Sequence, residues 1–240
     1  MTSDNMELSV FHIGSPLHLI TVAACFGLAV VTTLLANRSK PNPATSHRWR
    51  TGIAISCLVA WIINTAFWLL PSHFQWDRSL PLHLCNLANL LGAYAIWKQW
   101  RPAQSIIYYW ACGLCVCAFI TPSLHSGIDS LSFWVFWIYH GVIPVAIGYV
   151  LIIDQFRPNW SDFARSSLVT TGFVMVLAGI NWLTGWNYGF VGKGKPLQTS
   201  LLDWLGPYPI RILYIVLLGT AIFALLTVPW QKWSRSKIEK

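Results

Sequence analysis

A thiol and an imidazole on two different hydrophobic segments are the residues of this chain best placed to do chemistry. Cys85 lies in the run LPLHLCNLAN, residues 80–89, with His83, Asn86 and Asn89. His140 lies in WIYHG, inside a second hydrophobic segment. A thiol is nucleophilic as its thiolate, and a neighbouring imidazole can take its proton and later hand it to a leaving group. That pairing is the chemistry of acyl transfer through a thioester. Amides such as Asn86, Asn89 or Asn187 can orient the imidazole or donate to an oxyanion. At about 100° per residue, Cys85, Asn86, Asn89 and Gly92 share one sector of a helix, with His83 at its margin. The same stripe also fits an architectural role, in which Asn and His bond across helices and hold a bundle together at about 1 kcal/mol each.

The elements that must position these groups are membrane spans. Of 240 residues, 55% are hydrophobic and 10% charged, with 15 Trp and a mean hydropathy of +0.52. Soluble domains carry roughly 25% charged residues. The composition predicts an all-α polytopic membrane helix bundle, one domain over residues 1–240, with membrane lipids as its partners. The net charge of +8 is scattered between apolar segments and forms no nucleic-acid recognition motif, which excludes that class and makes the charge a guide to topology. Residues 1–16 contain no Lys or Arg, so the N-terminus does not read as a signal peptide and the first apolar segment is a true span.

Seven spans are predicted, at about 17–36, 51–70, 81–97, 105–120, 133–153, 165–184 and 209–228. The third is short, about 25 Å of rise. Twelve Lys and Arg follow spans one, three, five and seven, against four on the other side. The positive-inside bias then predicts the N-terminus outside and the C-terminus cytoplasmic in the cell membrane. Under that topology six of seven histidines fall on the outer side, and only His47 is cytoplasmic. His73 and His125 read as loop residues. His12 and His18 flank the entry to the first span, where an interfacial hydrogen-bonding role competes with a place at the site. Cys85 enters roughly 6 Å into span three and His140 about 10 Å into span five. Both spans run inward, so the two side chains meet if these spans are neighbours.

Cys112, Cys115 and Cys117 form CGLCVC; with no second pair, and Cys115 and Cys117 facing apart on a helix, they read as packing, as do Cys25 and Cys57. His83, Cys85, His140 and His18 have the donor atoms of metal ligands, but the side chains of His83 and Cys85 diverge by about 200° on a helix, and no metal or other cofactor is expected. The longest connection, from Asn181 through Asn187 and Tyr188 to Asp203 and Tyr208, is rich in Gly, Pro and aromatics. It can seat at the headgroups and cover a pocket, with Asp203 accepting from an imidazole or pairing with Arg211.

The LPLHLCN stretch, the WIYHG histidine and the NYGF…KP…SLLDWLGPYP loop together resemble the YwaF-like family of bacterial integral membrane proteins, over nearly the whole chain. That family looks related to a eukaryotic transmembrane acyltransferase that remodels ether phospholipids with a catalytic cysteine, and more distantly to androgen-induced membrane hydrolases that use a threonine and a histidine. The resemblance implies Cys85 as nucleophile and His140 as base. In the acyltransferase motif the cysteine directly precedes a histidine, whereas here His83 stands two residues before Cys85. The expectation is a Cys/His-dependent lipid acyltransferase or ester hydrolase. The alternative is a non-catalytic carrier or small-ligand binder with a polar intramembrane pocket.

Overall fold

A computed structural model describes residues 10–193 and 205–238. Among them the chain is helical without strands; a single bridge joins Val10 to Ser126. The polytopic all-α bundle expected from composition is what forms. Seven helices make it: α1 (Pro16–Arg38), α2 (Pro43–Leu69), α3 (Leu84–Lys98), α4 (Arg101–Ile120), α5 (Leu131–Ile152), α6 (Trp160–Thr184) and α7 (Ile210–Ile238). All but α3 are long and apolar enough to cross a membrane.

Local chemistry sets the ends, and several lie outside the predicted spans. Helix α2 starts eight residues before Thr51 because the Asn42 side chain accepts from Ala44 and Thr45 N–H and Pro43 sits at the first position. Helix α6 starts five residues before Arg165 through a reciprocal capping box between Asn159 and Asp162. Helix α7 runs ten residues past Val228, with Pro229 inside it. Helix α3 has 15 residues, about 22 Å of rise against a hydrocarbon core of about 30 Å. Its N-cap, His83, makes no side-chain capping bond. The chain reaches it through turns over residues 70–83.

Helix α5 is the post of the bundle: α1, α2 and α3 all pack on it. Helix α3 also packs on α2 and α4, while α6 joins α4 to α7. In α4 and α5, 61% of the most apolar window is buried, against 11% in α6 and 17% in α7, so the latter turn most of their surface outward. Small residues bring the inner helices close. A Cβ on Gly148 would sit 2.5 Å from Thr33 Oγ1, and one on Gly141 3.1 Å from Cys25 Sγ, both at the α1–α5 seam. Within α4, residues Trp110–Cys115 form a π-helical turn, which rotates the side chains beyond it relative to a regular α-helix.

One end of the bundle, where α3 finishes and α6 begins, carries a charged lattice. Asp154 is almost fully buried and takes Arg50 at 2.7 Å and Gln104 at 3.0 Å. Asp162, equally buried, takes Arg101 at 2.6 Å and Arg165 at 3.3 Å. Arg50 also donates to the Ile96 carbonyl and Arg157 to the Leu151 carbonyl. The basic residues counted for topology at this end are thus partly spent tying helix ends together.

Candidate active site at the start of helix α3

Helix α3 begins below the turns over residues 70–83, and the space above its first turn is a cavity of about 560 Å³. This lies within the usual range of small-molecule sites. Its wall reaches from Cys85 and His140 past Gly113 and Cys117 of α4 to Thr171 of α6 and Phe223 of α7. Most of that wall is apolar.

Cys85 is the second residue of α3 and lines the cavity together with His140, with Cys115 close by. Two facts of the backbone bear on this pair. The Leu84 and Cys85 N–H groups, first and second in the helix, have no acceptor among the described residues; the nearby turn uses only Asn86 and Leu87 N–H, both to the His83 carbonyl. Free N–H groups and the positive end of the helix dipole favour negative charge at this spot, whether a thiolate or an acyl oxyanion. The ring of His140 is held by its own helix: Nδ1–H donates to the Phe136 carbonyl at 2.8 Å. That bond leaves Nε2 as the basic nitrogen of the neutral ring. Pro144, four residues on, has no N–H to give the His140 carbonyl, which loosens the helix at this turn.

Asn89 locks the pair. It is 1% exposed, and its amide donates to the Tyr139 carbonyl at 3.1 Å and the Cys85 carbonyl at 3.3 Å, tying α3 to α5 beside Cys85 and His140. Asn86 turns the other way and accepts from Asn64 of α2 at 3.2 Å. Asn86 and Asn89 thus both join helices, while Asn86, with Asn64, lines the cavity beside Cys85. His83 lines the cavity with Cys85 and His140, and its ring packs on Tyr188 with centroids 5.0 Å apart.

The connection after α6 forms part of the cavity wall, built by its own polar groups. Asn181 is buried and brackets Tyr188 from both sides, accepting from its N–H at 2.9 Å and donating to its carbonyl at 2.8 Å. The Tyr188 hydroxyl donates to the Trp76 carbonyl at 2.7 Å and accepts from Leu80 N–H at 3.0 Å, so it joins this loop to the approach to α3. Burial pushes the Tyr188 phenol up, which keeps it a donor. Asn187 accepts from Gly192 N–H at 2.8 Å and also lines the cavity. Asp203 lies outside the described residues.

His18 stands apart from this group. Its Nδ1 accepts from Gly14 N–H at 2.9 Å and its Nε2 meets the Phe119 carbonyl at 3.0 Å, so the ring pins the start of α1 to the end of α4. Two residues at the site went unread in the sequence. Cys115 is buried, as a packing residue would be, yet lies close to the Cys85 side chain, at the end of the π-turn. Tyr139 is hidden in an aromatic run that reads as core. Among the described residues no three of His, Cys, Asp and Glu gather as a metal-binding group.

No curated protein and no solved structure matches the chain. A family model does, over residues 12–227, from just before α1 to near the end of the last span. The chain is a multi-pass membrane protein and belongs to the TMEM164 family.

Proposed function

We propose that the chain transfers or hydrolyses acyl groups of membrane lipids through a thioester on Cys85, with His140 as acid and base. The observation that carries this reading is the convergence of Cys85 and His140, from two helices, on the wall of one largely apolar cavity. His140 Nε2 takes the thiol proton. Sγ attacks the ester carbonyl, and the oxyanion falls to the free N–H groups of Leu84 and Cys85. The C–O bond then breaks and His140 returns the proton to the leaving alcohol. An alcohol or water reverses these steps in the second half. Asn89 is the positioning residue, and Asn181, Asn187, Tyr188 and His83 shape the cavity. The resemblance to a cysteine-dependent ether-phospholipid acyltransferase supports the same assignment.

With the N-terminus outside, as the charge count predicts, the site lies towards the outer leaflet and the charged lattice towards the cytoplasm. The test is purified protein in liposomes holding a phospholipid with a labelled acyl chain. The labelled chain is expected to move to a lysophospholipid or appear as free fatty acid, and Cys85→Ala is expected to abolish this. Transfer at the wild-type rate in Cys85→Ala overturns the reading. Retention of the lipid without turnover in either form supports the alternative, a non-catalytic carrier or binder, which the size and apolar wall of the cavity also fit.

A further inference from the structure

Away from Cys85 the cavity continues as a slot between α4, α6 and α7. On α6 its wall runs from Leu177 to Ser167, about 15 Å of rise. On α7 it runs from Ile215 to Phe223, and on α4 it goes no deeper than Gly113 among the described residues. Next below Gly113 on α4, two buried aromatic residues tie this helix to both neighbours. Trp110 Nε1–H donates to Thr170 Oγ1 of α6 at 2.8 Å, and the Tyr109 hydroxyl pairs with Thr227 of α7 at 2.6 Å. Phe223 packs on Tyr109 with ring centroids 4.8 Å apart. The deep end is therefore walled by rings that hydrogen bonds hold in place. Two glycines set its width. A Cβ on Gly113 would stand 3.1 Å from Phe223 and 3.2 Å from Ile222, so no room is left there. A Cβ on Gly219, one turn above Phe223, would have only Leu114 within 4 Å, at 3.8 Å. The slot is open at Gly219 and closed at Gly113. Its opposite end is polar, because the turns that lead into α3 put Asp77 and Arg78 on the wall.

We infer that the slot between α4, α6 and α7 holds the acyl chain with its end towards Phe223, and that Gly219 and Ile222 select its length. This rests on the reading of Cys85 and His140 as the acyl-transfer pair, and it names the part of the substrate that the site measures. An ester bond at Cys85 leaves the polar part of the lipid at the Asp77 and Arg78 end and points the hydrocarbon into the apolar slot. Each further methylene is taken from lipid or water into protein contact until the chain meets Ile222 and Phe223. Carbons beyond that point have no place, since Gly113 lets those two side chains close on α4. The missing side chain at Gly219 keeps the passage to the deep end clear.

The experiment exposes wild type, Gly219→Leu and Ile222→Ala in liposomes to a homologous series of saturated acyl p-nitrophenyl esters and reads the acylation rate of Cys85 at each length. The quantity compared is the ratio of long-chain to short-chain rates within one preparation, so a loss of folded protein cancels. The ratio is expected to fall at least about 10-fold in Gly219→Leu, and the preferred length to move to longer chains in Ile222→Ala. An unchanged ratio in either variant overturns the inference. A second measurement needs no turnover: a phospholipid with a diazirine at the end of its acyl chain is irradiated with wild type and with Gly219→Leu. Labelling of Gly113, Ile222 or Phe223 that drops in the variant supports the slot. Labelling confined to outward residues such as Leu225, which is 71% exposed, overturns it. Wild-type protein labelled at Phe223 but never acylated at Cys85 removes the acyl-transfer reading and keeps the slot as the seat of a bound lipid chain.

Discussion

The two ends of the bundle treat buried polar groups in opposite ways. Where α3 finishes and α6 begins, Asp154 and Asp162 are buried, and arginines from α2, α4 and α6 answer them at 2.6–3.3 Å. Where α3 begins, several buried polar groups lack a partner among the described residues: the Leu84 and Cys85 N–H groups, the Tyr139 hydroxyl and Asn89 Oδ1. The ion-paired lattice fixes helix ends, because removing one member strands a charge, although the Tyr149 hydroxyl beside Arg50 has no partner among the described residues. The free N–H groups at the start of α3 leave hydrogen-bonding capacity there. On the proposed function the α3 start is the working end and the other the anchor.

Substitutions can break or sharpen this contrast. The largest effect is expected at the working end on rate alone: His140→Ala lowers acyl transfer by about 10²–10⁴-fold and leaves the melting temperature near that of wild type. At the anchor the pattern inverts. Arg50→Ala leaves Asp154 buried without its main cation and costs about 3–5 kcal/mol, while the protein that remains folded transfers acyl groups at the wild-type rate; thermal unfolding and turnover per folded molecule measure the two. Asn89→Ala lies between, because the amide both joins helices and positions the pair. It is expected to cost about 1–3 kcal/mol of stability and to slow transfer by up to about 10²-fold through misplacement. The smallest effect is Asn159→Ala, which removes one side of the α6 capping box for about 1 kcal/mol without touching the site. Equal rate losses at both ends would erase the distinction.

Much of this arrangement is legible in the sequence where depth and polarity decide it. Cys85 and His140 enter their spans at similar depth, and that alone predicts the contact once α3 and α5 are neighbours. The adjacency follows from Asn89, which the sequence marks as polar but not as bonded to the Tyr139 carbonyl. Cys115 was not legible, because a regular helix does not announce the π-turn at Trp110–Cys115 that re-aims its side chains. Tyr139 escaped because a phenol among Trp and Phe residues reads as core until its hydroxyl is seen without a partner. His18 read as a site candidate because an imidazole at a helix entry suits either role; Gly14 N–H and the Phe119 carbonyl decide it. The start of α2 was missed because NRSKPNPATSHRWR reads as loop by charge and proline, although Asn42-Pro43 is a helix start.

The most direct measurement is the mass of the peptide that carries Cys85 after brief exposure of the membrane-embedded protein to a long-chain activated ester. The account predicts an acyl group on Cys85 that hydroxylamine removes, forming at least about 10²-fold more slowly in His140→Ala. Acyl groups found on other residues only, or forming on Cys85 at the same rate without His140, would contradict it.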